Sequence, residues 1–278
     1  MALERRPGDH RRSATVASGA TDVLLAVDVG NSNTVLGIFR GEELVEHWRI
    51  STDQHATVDE LALQFHGLLA FADLSFSGNV RGVIISSVVP KVTESLREMV
   101  THYFPFPPVV VEPGIRTGIA LRYDNPKEIG ADRLVNAVAA YTLYGAPSIV
   151  VDFGTSTNFD VVGENGEFLG GVISPGVMTS MEALVVRAAR LPKIEVHVPA
   201  SVVGRSTVSA MQSGIIYGTA GQVDTIVERI IEEVGMPMTV VATGGLAPAI
   251  LQACRTIDHH DPWLTLKGLR IIWDRNVA

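Results

Sequence analysis

A β-rich run that breaks on Asp-x-Gly occurs twice in this chain. It reads "AVDVGNSNTVLGI" from Ala26 to Ile38 and "VVDFGTSTNFDVV" from Val150 to Val162, with Asp28 and Gly30 in the places of Asp152 and Gly154. An apolar strand pattern enters each break and a second strand pattern leaves it at once, so each predicts a hairpin with a polar turn. Two matched hairpins in separate halves of one chain point to a duplicated unit rather than to a single continuous sheet.

The surrounding elements repeat in the same order. After the first hairpin, "GEELVEHWRIST" predicts a third strand of the same meander. "TVDELALQFHGLLAFADL" predicts a helix with Thr57 or Asp59 as N-cap and Leu61, Phe65, Leu68 and Leu69 on one face. "VRGVIISSVVP" is a strand buried on both sides and stopped by Pro90, "KVTESLREMVTHYF" a helix, and "PFPPVVVEPG" the approach to another strand. "GADRLVNAVAAYTLYGAP" predicts a helix with Leu134, Val135, Val138 and Ala139 on one face and Gly145 and Pro147 as stops. The second hairpin is followed by a strand at "GEFLGGVISPG", helices at "VMTSMEALVVRAARL" and "TVSAMQSGIIYGTAGQVDTIVERIIEEVG", a buried strand at "MTVVATGGLA", and a tail, "HHDPWLTLKGLRIIW". The apolar face along Val208–Val234 suits either core or a subunit interface, and core is the expectation. The expected organisation is a disordered tail over 1–22 and two α/β domains, 23–144 and 145–278. They face each other across a cleft, with a ligand between the matching turns.

Bulk properties narrow the partners. The chain has 278 residues, 46% of them hydrophobic, and a net charge of −8, which argues against a duplex or a membrane surface. Its one cysteine, Cys254, excludes an internal disulfide and a Cys-rich zinc site, and fits a reducing, cytoplasmic setting. The first twenty residues contain no apolar signal region, and no segment reaches the ~18 apolar residues of a membrane span.

The turns carry the chemistry. A glycine beside each turn lets backbone N–H groups approach an anion, and Asn31, Ser32, Asn33, Thr34, Thr155, Ser156, Thr157 and Asn158 add donors. Asp28 and Asp152 would repel a polyphosphate unless a cation, Mg²⁺ or a monovalent ion, stood between. A single Asp-x-Gly is also an ordinary β-turn, so the repetition carries the argument. Gly244 and Gly245, after the last buried strand, could let an adenine or ribose pack on backbone, or could simply form a turn.

Asp132 stands at a helix start beside Arg133 and is expected to be held ionised there, able to accept a proton. The same placement would serve only to complement the helix dipole. The approach "GIRTGIALRYDNPKEIGADR", with Gly114, Gly118, Gly130 and Tyr123, carries more polar hardware than a connector needs. Other candidates fall away: His259-His260 with Asp261 is expected to be a surface turn, Ser86-Ser87 has no base partner, and there is no Gly-x-x-x-x-Gly-Lys-(Ser/Thr) phosphate loop.

"DVGNSNTVLGIF", "GIRTGIALRYDNPKEIGADRLVNA", "VVDFGTSTNFDVV", "GGVISPGVMTSMEAL" and "MQSGIIYG", in this order, resemble type III pantothenate kinases. These belong to the wider acetate and sugar kinase, Hsp70 and actin superfamily. The resemblance runs from about Val23 onward. It implies two duplicated ribonuclease H-like (actin-like ATPase) domains, mixed sheets flanked by helices, with an ATP cleft between them. It also implies ATP-dependent conversion of pantothenate to 4′-phosphopantothenate, the first step towards coenzyme A. The enzyme would be a cytoplasmic homodimer using Mg²⁺ and a monovalent cation, K⁺ or NH₄⁺.

By the same resemblance, Asp28, Val29, Gly30, Asn31, Ser32, Asn33, Thr34 and Val35 match the first ATP-phosphate loop, and Thr155 lies in the second. Asp152 matches a monovalent-cation position, and Asp28 a possible water-mediated Mg²⁺ contact. Asp132 matches the general base, Gly130, Ala131 and Arg133 the pantothenate segment around it, and Tyr123 and Thr207 further substrate contacts. The chain departs from the family in Asn158 and Ser32, where Thr is common, and in Ser206, which replaces an Asn. The rival expectations are a kinase for another small hydroxy or carboxylate substrate, and a non-catalytic nucleotide-binding regulator of the same fold.

Overall fold

The computed structural model describes residues 22–188 and 191–277, so nearly all of the expected tail over 1–22 lies outside the described residues. Two five-stranded sheets arise from successive parts of the chain. The first contains β1 (Val23–Val29), β2 (Asn33–Arg40), β3 (Glu43–Ser51), β4 (Val80–Ser87) and β5 (Val109–Val110), in the order β3-β2-β1-β4-β5. The second contains β6 (Ser148–Phe153), β7 (Ser156–Val162), β8 (Phe168–Pro175), β9 (Thr239–Thr243) and β10 (His259–His260), in the order β8-β7-β6-β9-β10. One pattern is used twice: an antiparallel three-strand meander, then two parallel strands beside its first member. This is the mixed-sheet, duplicated architecture expected.

A parallel return needs a crossover, and local signals place the helices that supply it. Thr57 and Glu60 form a capping box that starts α1 (Val58–Ala70), with Leu61, Phe65 and Leu69 buried. Such a cap contributes about 1 kcal/mol. Pro90 opens α2 (Pro90–Tyr103), where its missing N–H costs nothing. Gly145, at φ 87°, ends α3 (Ala131–Tyr144), a conformation that residues with a Cβ avoid. In the second unit, α4 (Val177–Arg187) and α5 (Thr207–Val234) cross between β8 and β9, and α6 (Ala247–Ile250) follows β9.

The alternation of strand side chains decides what faces what. Along β1, Val23, Leu25, Val27 and Val29 join the core under α1 and α2. Leu24 and Ala26 point the other way, into a core with Val135 and Val138 of α3. Asp28 shares their parity, so it lies on the α3 side. Along β6, Ile149, Val151 and Phe153 pack with Ile216, Val223 and Val227 of α5, while Val150 packs with Ala139 and Ala140 of α3. Asp152 therefore also lies on the α3 side. The expected single apolar face of α3 is instead burial nearly all round from Val135 to Ala140, because this helix packs against both sheets. The apolar face of α5 is core, as expected.

The segment expected as a tail is largely a helix, α7 (Leu264–Val277), lying against β1, β2 and β4 and tightly against α3. A Cβ on Gly268 would stand 2.4 Å from the Val135 carbonyl, so only glycine allows that approach. At its far end, the Arg275 guanidinium donates to the Thr117 carbonyl and Asn276 brackets the backbone of Arg116. The expected surface turn at His259-His260-Asp261 is also different. His259 and His260 form the exposed edge strand β10, whereas Asp261 is buried. Its carboxylate accepts from Tyr144 at 3.0 Å and from Lys267 at 2.7 Å.

Candidate active site

The two hairpin turns meet. Ser32 Oγ of the first lies 3.4 Å from Thr155 Oγ1 of the second, across a cavity of about 500 Å³ lined by both halves of the chain. Equivalent in sequence, the turns differ in length. Asp28 pairs with Val35, whereas Asp152 pairs with Asn158, so the second turn is one residue shorter. In both, backbone closes the turn: Gly30 N–H donates to Asn33 O at 2.9 Å and Gly154 N–H to Ser156 O at 3.0 Å.

Of the expected phosphate-loop residues, Asp28, Gly30, Asn31, Ser32, Asn33, Val35 and Thr155 line the cavity. Val29 and Thr34 do not, since their parity turns them towards the α1 side. Thr34 instead shares a hydrogen bond with Thr52 at 2.9 Å, and Thr52 donates to the Gly30 carbonyl at 2.8 Å, fixing the turn from behind. Thr157 is likewise buried, while Ser156 and Asn158 line the cavity.

The helix α3 brings the third carboxylate. Asp132 is its second residue and lines the cavity with Asp28 and Asp152. The side chain folds back over Gly130, where a Cβ would stand 2.5 Å from Asp132 Oδ1. One turn further, on the same face, Asn136 donates to Asp152 Oδ2 at 3.1 Å and accepts from Thr265 of α7 at 2.8 Å. Burial, then Asp132 and Asp152, push the Asp28 carboxyl up to about 7 against Ser86 and Arg49. Burial and then Asp132 likewise push Asp152 up to about 7. Asp132 is also raised, chiefly by burial, with the Arg133 backbone and charge acting in the opposite direction.

Arg133 points elsewhere. Its Nε lies 2.7 Å from Asp160 Oδ1, with side-chain exposures of 8% and 0%, and its guanidinium sits 5.6 Å from the Phe168 ring centre. Burial works against the Arg133 cation, but Asp160 and then Tyr123 outweigh it and raise its pKa. The approach segment docks on β8 through Arg122 N–H to Phe168 O and Phe168 N–H to Ala120 O, both at 2.8 Å. That places Tyr123 against Phe168, with ring centres 5.9 Å apart. Tyr123 and Arg133 thus gather beside the cavity rather than in it, with Gly130 and Ala131 leading into the helix. Thr207, the first residue of α5, does not line the cavity.

Sequence reasoning missed four contributors. Asp160 reads as one more strand residue, and its parity with Asp152 shows only in the sheet. Asn136 reads as helix surface. Arg49 of β3 and Trp263, which stacks on His47 at 3.9 Å between ring centres, line the cavity from segments that carried no motif. Among the described residues no group of three or more His, Cys, Asp or Glu side chains forms a metal-holding cluster. Any cation here would need oxygens from a ligand or water.

Three carboxyls held above their ordinary range, Asp160 buried and Asp28 and Asp152 half-buried at the cavity, make a stability prediction. Unfolded, they release protons near 4, whereas Asp28, Asp152 and Asp160 folded hold them to about 7. Between these values the folded state binds more protons, so stability falls as pH rises from about 4 to about 7. The ligand-free protein is therefore expected to show a lower urea midpoint at about pH 8 than at about pH 6. Asp152→Asn is expected to raise the midpoint at about pH 8, worth about 1–3 kcal/mol. An unchanged midpoint would show that this carboxylate is not strained.

Comparison with known proteins fits this arrangement. A profile of the type III pantothenate kinase family matches residues 24–229. Type III pantothenate kinases from Acidothermus cellulolyticus and Salinispora arenicola are each 56% identical over 256 residues. The matches span 92% of this chain and 99% and 100% of theirs. Among solved structures, a Baf family protein from Campylobacter jejuni aligns with TM-score 0.56 at 20% identity, covering 90% of this chain and 98% of its own. The (R)-2-hydroxyglutaryl-CoA dehydratase component A from Acidaminococcus fermentans aligns with TM-score 0.53 at 16% identity, covering 90% and 95%. At those identities the structures speak for the fold alone. The sequence relatives, matched over nearly their whole length, show that the chain belongs to the type III pantothenate kinase family.

Proposed function

We propose that this chain phosphorylates pantothenate with ATP, giving 4′-phosphopantothenate and ADP, with the phosphate chain held between the two hairpin turns. The observation that carries this is the meeting of the turns at Ser32 and Thr155 over Asp28, Asp132 and Asp152. In the proposed step the pantothenate hydroxyl oxygen attacks the γ-phosphorus while Asp132 takes its proton. The bond from that phosphorus to the bridging oxygen breaks, and ADP leaves with the electron pair. Backbone N–H groups of the turns and the hydroxyls of Ser32, Thr155 and Ser156 orient the phosphates. Tyr123 and Arg133, which gather beside the cavity, are the proposed contacts for the part of the substrate away from the reacting hydroxyl. Positioning and electrostatics suffice, so no covalent nucleophile is required.

ATP-dependent kinases use a divalent cation, and the residues here fit one. Asp28 Oδ1 is buried with no hydrogen-bond partner, and a positive charge would relieve its repulsion by Asp132 and Asp152. Such a Mg²⁺ would take one or two carboxylates, directly or through water, and otherwise phosphate and water. Its chemistry would be neutralisation of charge on the phosphates. Asp152, oriented by Asn136, is the proposed K⁺ or NH₄⁺ contact.

The two-domain division, 23–144 and 145–278, is the proposed frame for the cleft, with α7 returning to the first sheet. The chain is proposed to act in the cytoplasm; among the described residues no helix is long and apolar enough to cross a membrane. A homodimer is proposed from the apolar side chains left exposed along edge strand β8 and the segments after it, including Ile173 at 62%, Val172, Leu184 and Val203. Ile173→Glu is expected to shift the sedimenting species from dimer to monomer. A monomeric parent protein would remove the proposal. The activity itself is tested by ADP release with and without pantothenate, in potassium and in sodium buffer. Release that depends on pantothenate and on potassium or ammonium is expected. Pantothenate-independent release, or none, would return the reading to another kinase substrate or to a regulator.

A further inference from the structure

We propose that Arg49 is the cation through which the cleft grips a nucleotide's phosphate chain, reaching from the first sheet to the glycine loop of the second. This deepens the reading above and rests on its nucleotide, though not on its acceptor. The cavity is lined by four carboxylates, Asp28, Asp132, Asp152 and Glu182. Among the described residues it has one basic lining side chain, Arg49. A polyphosphate entering such a site meets like charge almost everywhere, and a divalent ion covers only the oxygens it touches. The single guanidinium is therefore where protein charge can favour the anion.

Its placement follows from the strand. Arg49 pairs with Val35 on β2, one pair away from Thr34 and two from Asn33, at the first turn. Its neighbours Trp48 and Ile50 pack on the core under α1 and α2, so Arg49 faces the opposite way, towards α7 and the cleft. There it reaches the second half. A Cβ on Gly245 would stand 2.5 Å from Arg49 Nη1. The paired glycines after β9 thus have separate causes. Gly244 has φ 95° and abuts Asp152 and the backbone of Phe153, whereas Gly245 leaves room for the guanidinium.

Several arginines of this chain are already committed to carboxylates. Arg133 pairs with Asp160, Arg255 with Asp224 and Arg270 with Asp274. Among the described residues Arg49 has neither an ion-pair partner nor a side-chain hydrogen bond. A planar fork of five donors, aimed across a cavity at a loop without acceptor side chains, matches two neighbouring phosphate oxygens. A guanidinium placed only to offset Asp28 would also favour the anion, but a lysine would then serve as well, so the arginine-to-lysine comparison separates the two roles.

The experiment is titration calorimetry without pantothenate, using Mg²⁺ with a non-hydrolysable ATP analogue and, separately, adenosine. Arg49→Ala is expected to weaken the analogue about 10- to 100-fold and to leave adenosine within about 2-fold. Arg49→Lys is expected to recover part of the loss, since it keeps the charge but not the fork. Full analogue affinity in Arg49→Ala, or equal losses for analogue and adenosine, would overturn the proposal. The two readings fail separately. Arg49-dependent analogue binding without any pantothenate turnover would sink the acceptor assignment and leave the clamp standing. Normal turnover with an unchanged ATP requirement in Arg49→Ala would do the reverse.

Discussion

Asp132→Asn is expected to lower kcat with pantothenate by about 10²- to 10⁴-fold while leaving ATP binding close to normal. The side chain is isosteric and still able to sit over Gly130, so the loss would report the missing base rather than a collapsed site. Asp132 adds its charge to the burial that lifts Asp28 and Asp152, so its removal should ease both of them. ATP affinity should therefore not fall, and could only be helped by one charge less in the cavity. The pH profile gives an independent check. Burial holds the Asp132 carboxyl above the ordinary carboxylate range, so the parent enzyme should lose activity on acidification sooner than such a carboxylate would dictate. The Asn variant should lack that limb. A kcat within a few-fold of the parent would remove Asp132 as the base and leave it a dipole complement at the start of α3.

The second large effect is expected at the buried pair beside it. Arg133→Ala strands a carboxylate with 0% side-chain exposure, and breaking such a pair typically costs about 3–5 kcal/mol. Burial already pushes Asp160 up to about 7 with Arg133 opposing it. Without the arginine the carboxyl would be raised further, and folding would carry an added proton into the alkaline range. The variant should therefore lose more stability at about pH 8 than at about pH 6, read as urea midpoints. Replacing both partners, Arg133→Met with Asp160→Leu, should recover most of the stability, because apolar groups of similar size can fill such a site. It should not recover a normal KM for pantothenate, since Arg133 is the proposed substrate contact. Equal instability in the single and double variants would show that the pair is not the source of the cost.

Several parts of this site were legible in the residues themselves. The repeated Asp-x-Gly breaks fixed two hairpins, because glycine next to a strand end and a run of small donors leave the backbone few other courses. Thr57 with Glu60, Pro90 and Gly145 marked helix ends for reasons that act within a few residues. The motif around Asp132 was identified through resemblance, since an acidic residue in a first helical turn has a purely local use as well.

What the sequence could not show is which side of each strand mattered. In "VLLAVDV" and "SIVVDF" both faces are apolar, so the usual alternation that separates core from surface is absent. Only the position of α3, wedged against both sheets, makes the parity of Asp28, Asp152 and Asp160 the functional one. The same holds for the hidden members. Arg49 and Trp263 lie far apart in the chain and share no spacing, and they come together because α7 folds back over the first sheet. The chain by itself determined the two turns, the helices from α1 to α5 and the family to which they belong. The tertiary structure decided that the turns touch, that among the described residues four carboxylates share one cavity with one arginine, and that Arg133 turns to Asp160. These are properties of packing between distant segments, where burial and charge act through space and leave no periodic trace along the chain.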